Sequence, residues 1–139
     1  MLPSFEEKSV WVQLVSLIVG VGAYFAVSGM MLSNGVVALV PYIPVFMVSV
    51  GLLVVVMVVG HIIAAVTGKP EPRDERDRLI GWRAESNSSW LLATGVFGAI
   101  TALAFGIEAV WVAHLLLASM FLSEMLKLLL QLMYYRRGV

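Results

Sequence analysis

The sequence predicts an all-α integral membrane protein, a four-helix bundle with both termini on the cytoplasmic side. Three observations predict it. Of its 139 residues 60% are hydrophobic and only 13% are charged, with a mean hydropathy of +0.95. A soluble domain of this size has too much surface for its volume to bury that apolar content. No Asp, Glu, Lys or Arg occurs between Lys8 and Lys69, and none between Glu85 and Glu108. Finally, Lys and Arg fall almost entirely at the boundaries between apolar runs.

A transmembrane helix needs about 20 apolar residues, so the first uncharged stretch holds two spans and a turn. Ser33, Asn34 and Gly35, followed by Pro41 and Pro44, mark that turn. The expected spans are 9–31, 42–67, 88–107 and 109–133. A polar loop at 68–87 separates the second from the third, and Glu108 marks a tight turn before the fourth. Backbone polar groups in lipid must pair within their own segment, so each span is expected to be helical. Ser4 and Glu7 have capping-box spacing and predict a first helix beginning near Phe5. That acidic start, with an apolar run longer than 7–15 residues, argues against a cleaved signal peptide. The chain is expected to form one membrane domain, 1–139.

Orientation follows from the cations. Lys8, Lys69, Arg73, Arg76, Arg78, Arg83, Arg136 and Arg137 all fall on one side of this four-pass arrangement, and the opposite turns carry none. Positive residues are retained in the cytoplasm, so both ends and the central loop are expected there, in a bacterial inner membrane. Trp11, Trp82, Trp90, Tyr134 and Tyr135 would lie near that boundary, where amphipathic rings prefer to sit.

Several function classes are excluded. There is no cysteine, hence no disulfide, thiolate site or thiol nucleophile. Nine basic residues balance nine acidic ones, which offers nothing to nucleic acid. No His or carboxylate pair has the helical spacing of a zinc site, and no phosphate-cradling glycine loop follows a strand. His61 and His114 fall at depths too different to share a haem within one subunit. Neither metal nor cofactor is expected, and an enzyme is not the favoured reading. No role is assigned to His114.

The chemical candidates are polar groups inside the spans. Charges in lipid are costly and usually functional or paired. Glu124 and Lys127 stand three residues apart on one helix face, and Gln131 and Tyr135 continue that face. Glu124 lies roughly 16 Å and Lys127 roughly 12 Å from the level of Tyr135. Glu124 is expected to face the bundle interior in a pair with Lys127. His61, at a similar depth on the second span, joins them if the second and fourth helices touch. That set suits either an ion pair that fixes packing or a site for protons, ions or a headgroup.

Two further patterns bear on partners. Thr94, Gly98, Ala102 and Gly106 form a small-residue stripe on the third span, flanked by Gly95 and Ala99. Small side chains let helix backbones approach, so the stripe is expected to pack inside the bundle, a homodimer seam being the alternative. The loop residues Arg73, Asp74, Glu75, Arg76, Asp77 and Arg78 interleave signs, which favours short-range ion pairing. Pro72 suits the first turn of a helix, whose Leu79, Ile80 and Trp82 would give it an apolar side. This loop is the candidate docking surface for a cytoplasmic protein partner.

The run Asp74-Glu75-Arg76-Asp77-Arg78-Leu79-Ile80 resembles the loop of a set of small bacterial four-pass membrane proteins of unknown function. Ser123-Glu124-Met125-Leu126-Lys127, ending in Tyr134-Tyr135-Arg136-Arg137-Gly138, resembles their last helix, and Phe5-Glu6-Glu7-Lys8-Ser9-Val10-Trp11 their start. Some of those proteins are encoded beside small helix-turn-helix regulators, so the resemblance implies a signalling or sequestration role and no activity. An arginine usual at the entry to their third span is replaced here by Asn87 and Ser88. The functional expectation is a non-enzymatic regulatory or accessory membrane protein acting through its loop. The alternative is a small transporter or channel using Glu124, Lys127 and His61.

Overall fold

The computed structural model describes residues 4–138. They form four α-helices: α1 (Phe5–Ser33), α2 (Tyr42–Thr67), α3 (Glu75–Ala104) and α4 (Ala109–Arg137). All four are long and apolar enough to cross a membrane. At 26 to 30 residues each they run about 39–45 Å, longer than the ~30 Å hydrocarbon core. Their ends therefore reach into the headgroup layer.

Local chemistry accounts for the helix ends. The Ser4 hydroxyl accepts from the Glu7 backbone N–H at 3.1 Å and starts α1 where the Ser4 signal predicts. Asp74 caps α3 reciprocally with Asp77: Asp77 N–H donates to the Asp74 carboxylate at 2.7 Å, and Asp74 N–H to that of Asp77 at 3.1 Å. This capping box begins α3 at Glu75, so most of the loop expected at 68–87 is an extension of the third helix. Only 68–74 is irregular. At the opposite end, α1 and α3 stop at Gly35 and Gly106, whose positive φ of 78° and 72° suits a residue without a Cβ. Val36 N–H reaches back to Met31 C=O and Ile107 N–H to Ala102 C=O, the six-residue closure of a Schellman end.

α1 is the central element. It packs against α2 on one side and α4 on another, and α4 packs against α3. α2 and α3 do not pack side by side, so the bundle is open between them. Residues at the seams are small or aliphatic. A Cβ on Gly20 would lie 2.6 Å from Leu53 Cβ, and one on Gly60 would lie 2.6 Å from Val12 Cγ1, which is how closely α1 and α2 approach. Val10 and Leu14 meet Leu128 and Leu132 between α1 and α4. Most other large apolar side chains of α2 are exposed, as lipid-facing residues are.

The small-residue stripe is displaced from its expected place. The α3–α4 seam runs through Ile80, Ala84, Ser88, Gly95 and Ala99, and a Cβ on Gly95 would collide with the Ser119 side chain. Thr94 and Gly98 lie on the outer side of α3, and Ala102 is half-buried. Gly98 has room for a Cβ, with Leu115 at 3.6 Å. Gly106 lies beyond the helix altogether, as its left-handed C-terminal residue. Adjacent helix positions are about 100° apart, and in lipid both faces are apolar, so hydropathy does not select between these phases.

Candidate functional site at the charged end

The N-terminus of α1, the 68–74 connector and the C-terminus of α4 meet at one end. Arg73 donates from Nε to Glu6 at 2.8 Å, and this hydrogen bond raises the Arg73 pKa above its ordinary value. Tyr135 donates its hydroxyl to the Asp77 carboxylate at 2.7 Å. Arg76 donates to the Tyr135 backbone carbonyl at 3.2 Å, and the Asn87 amide to the Tyr134 hydroxyl at 2.8 Å. Arg136 lies 4.0 Å from Glu7 and its guanidinium stands 5.8 Å from the Trp11 ring, within cation–π range. Four of the six loop candidates, Arg73, Asp74, Arg76 and Asp77, are thus engaged within the chain. Glu75 and Arg78 have no side-chain partner among the described residues.

Lys127 and Glu124 pair as their spacing predicts. The pair is not closed: Lys127 also meets Glu85 of α3 at 3.1 Å. Lys127 is the more enclosed member, its side chain 20% exposed, against 45% for Glu124 and 63% for Glu85. Glu124 therefore does not face the interior. The cation bridges the α3–α4 seam between two carboxylates, so each carboxylate has an opposite charge within pairing distance.

His61 is not part of this group. It lies across α1, with Nε2 2.9 Å from the Ser9 hydroxyl and Nδ1 2.9 Å from the Met57 carbonyl. A carbonyl only accepts, so Nδ1 donates, and in the neutral ring Nε2 accepts the Ser9 proton. Gln13 adds a bond to Ser9 at 3.2 Å. Gln131 is placed with Lys127: its amide nitrogen is 3.9 Å from where a Gly81 Cβ would stand.

Three helices line a groove of about 340 Å³ at this end. α1 supplies Glu6, Val10 and Gln13, α4 supplies Lys127, Gln131 and Tyr135, and Asp77, Gly81 and Glu85 represent α3. Each helix contributes residues on one face over about 10–12 Å. Sequence reasoning placed Lys127 and Gln131 on that face but missed Gln13 and Glu85. Their signal was present: Gln13 lies seven residues from Glu6, and Glu85 seven from Arg78, two helical turns apart.

At the other end, His114 is buried against Tyr24 and Tyr42, a cluster that no short-range motif marks. Among the described residues no three His, Asp or Glu side chains converge as a metal site. Comparison with protein-family models, with curated proteins and with solved structures finds no match for this chain.

Proposed function

We propose a non-enzymatic regulatory or accessory protein of the bacterial inner membrane, with both termini and the 68–74 connector in the cytoplasm, that acts by docking a protein partner on its charged end. One observation carries this reading: the pair Arg73–Glu6 ties the connector to α1, and Tyr135–Asp77 ties the start of α3 to α4, which orders this surface. A preordered surface loses less conformational entropy on binding than a slack loop does. Exposed Glu75 and Arg83 lie on the same extension of α3, leaving both signs of charge to set specificity. The resemblance to uncharacterised four-pass proteins with neighbouring regulator genes points the same way. Transport through Glu124, Lys127 and His61 has weaker support, because His61 is engaged with Ser9 on a different seam.

Photo-crosslinking residues at Glu75 and Arg83 in native membranes test the proposal, with Trp90, exposed further along α3, as the lipid-facing control. Discrete protein adducts are expected from the first two positions and none from the third. No adduct at either charged-end position, together with proteoliposome ion flux abolished by Glu124→Gln, would replace the docking reading with the transport one.

A further inference from the structure

The groove between α1, α3 and α4 has a composition that a protein-docking role does not use. Its charged lining comprises Arg73, Arg78 and Lys127 against Glu6, Asp77 and Glu85, a balance of zero. Most of these charges are already committed. Arg73 holds Glu6, Asp77 accepts from Tyr135, and Lys127 lies between Glu85 and Glu124. Of the three cations that line the groove, Arg78 alone has no partner among the described residues. Glu85 touches Lys127 through one oxygen and is otherwise exposed, so its second oxygen keeps its acceptor capacity. Arg78, Gly81, Trp82 and Glu85 fall within two turns of one face of α3. The groove therefore presents a free guanidinium at one point and a free carboxylate oxygen about 10 Å along the same helix.

We infer that this groove holds the headgroup of a zwitterionic aminophospholipid, with its phosphate against Arg78 and its ammonium against Glu85. The planar guanidinium suits a phosphate's paired oxygens, and Gln131 and Trp82, which carry neutral N–H donors, line the same space. A primary ammonium offers N–H donors to Glu85, which a quaternary amine does not. A headgroup with no net charge also matches a lining with no net charge, whereas an anionic lipid would leave Glu85 facing like charge. The source is a lipid because of the rim. Trp82 is 74% exposed, and Leu79, three residues before it on α3, is 44% exposed, which is apolar surface for acyl chains at the level where interfacial tryptophans sit. Gly81 makes the room: a side chain there would grow toward Gln131 and fill the groove.

The test is native mass spectrometry of the full chain, extracted from vesicles of equal parts phosphatidylethanolamine, phosphatidylcholine and phosphatidylglycerol. Phosphatidylethanolamine should be retained about tenfold over either other lipid, the effect of one charge-assisted contact. Gly81→Leu should abolish that preference while Gly81→Ala, whose Cβ fits, keeps it. Glu85→Gln, which removes the carboxylate that the primary ammonium pairs with, supplies the same loss without added bulk if Gly81→Leu does not fold. Equal retention of phosphatidylglycerol, or a preference that survives both Gly81→Leu and Glu85→Gln, would overturn the inference. Displacement of the lipid by millimolar soluble phosphoethanolamine would overturn the lipid source, showing that the groove takes a free phosphate ester. None of these outcomes depends on whether a protein docks at Glu75.

Discussion

Tyr24 and His114 join α1 to α4 by a hydrogen bond of 3.0 Å between the phenol oxygen and Nε2. His114 Nδ1 lies 2.7 Å from the Val110 carbonyl, which can only accept. In the neutral ring Nε2 is therefore the acceptor, and Tyr24 donates. His61 repeats the arrangement near the charged end, with Ser9 in the place of Tyr24 and Met57 in the place of Val110. Both histidines lean on a carbonyl four residues back and take a hydroxyl proton from α1. Both act as cross-links between α1 and a neighbour, one on α2 and one on α4.

Removing the donor should expose that role. Tyr24→Phe keeps the ring and its edge contacts with Phe25 and Phe46 but leaves a buried Nε2 unpaired. The expected loss is about 1–3 kcal/mol, read as a lowered thermal midpoint in detergent. An unchanged midpoint would mean that the aromatic packing alone holds this seam.

The α3–α4 seam gives a sharper contrast. Gly95→Leu must drive its Cβ into Ser119, whereas the Cβ of Gly98→Leu meets Leu115 at van der Waals distance. Gly95→Leu should abolish recovery of folded protein on size exclusion, and Gly98→Leu should leave it near wild type. The reverse order would place the seam on the Thr94–Gly98 face.

Lys127 should matter more than either of its carboxylates. Glu124→Gln leaves Lys127 with Glu85, and Glu85→Gln leaves it with Glu124, so each single change should lower stability by less than Lys127→Met does. Lys127→Met removes both bridges at once. Double-mutant cycles should find coupling between Lys127 and each glutamate, and strictly additive losses would show that Lys127 bridges neither.

These residues also mark how far the sequence could be read. The four helices, the start of α1 at Ser4 and the Glu124–Lys127 pair were legible because each rests on local spacing or on long uncharged runs. The rotation of α3 was not legible. Thr94–Gly98 and Gly95–Ala99 are equally small, and lipid imposes no polar face to separate them. The partners of the histidines were out of reach for another reason. Ser9 lies 52 residues from His61 and Tyr24 lies 90 from His114, so finding them requires knowing that α1 sits between α2 and α4. Glu85 was passed over because 68–87 read as a polar loop with a helix of its own, when the Asp74–Asp77 capping box begins one continuous helix that runs on into the third span.

The account rests on the charged end facing the cytoplasm, where a protein partner can reach Glu75 and Arg83. The chain has no cysteine, so Asn34→Cys and Glu71→Cys each introduce one thiol, at opposite ends of the bundle. Labelling with a membrane-impermeant maleimide in intact cells should modify the Asn34 site at once and the Glu71 site only after permeabilisation. Labelling of the Glu71 site in intact cells, with the Asn34 site protected, would contradict the account.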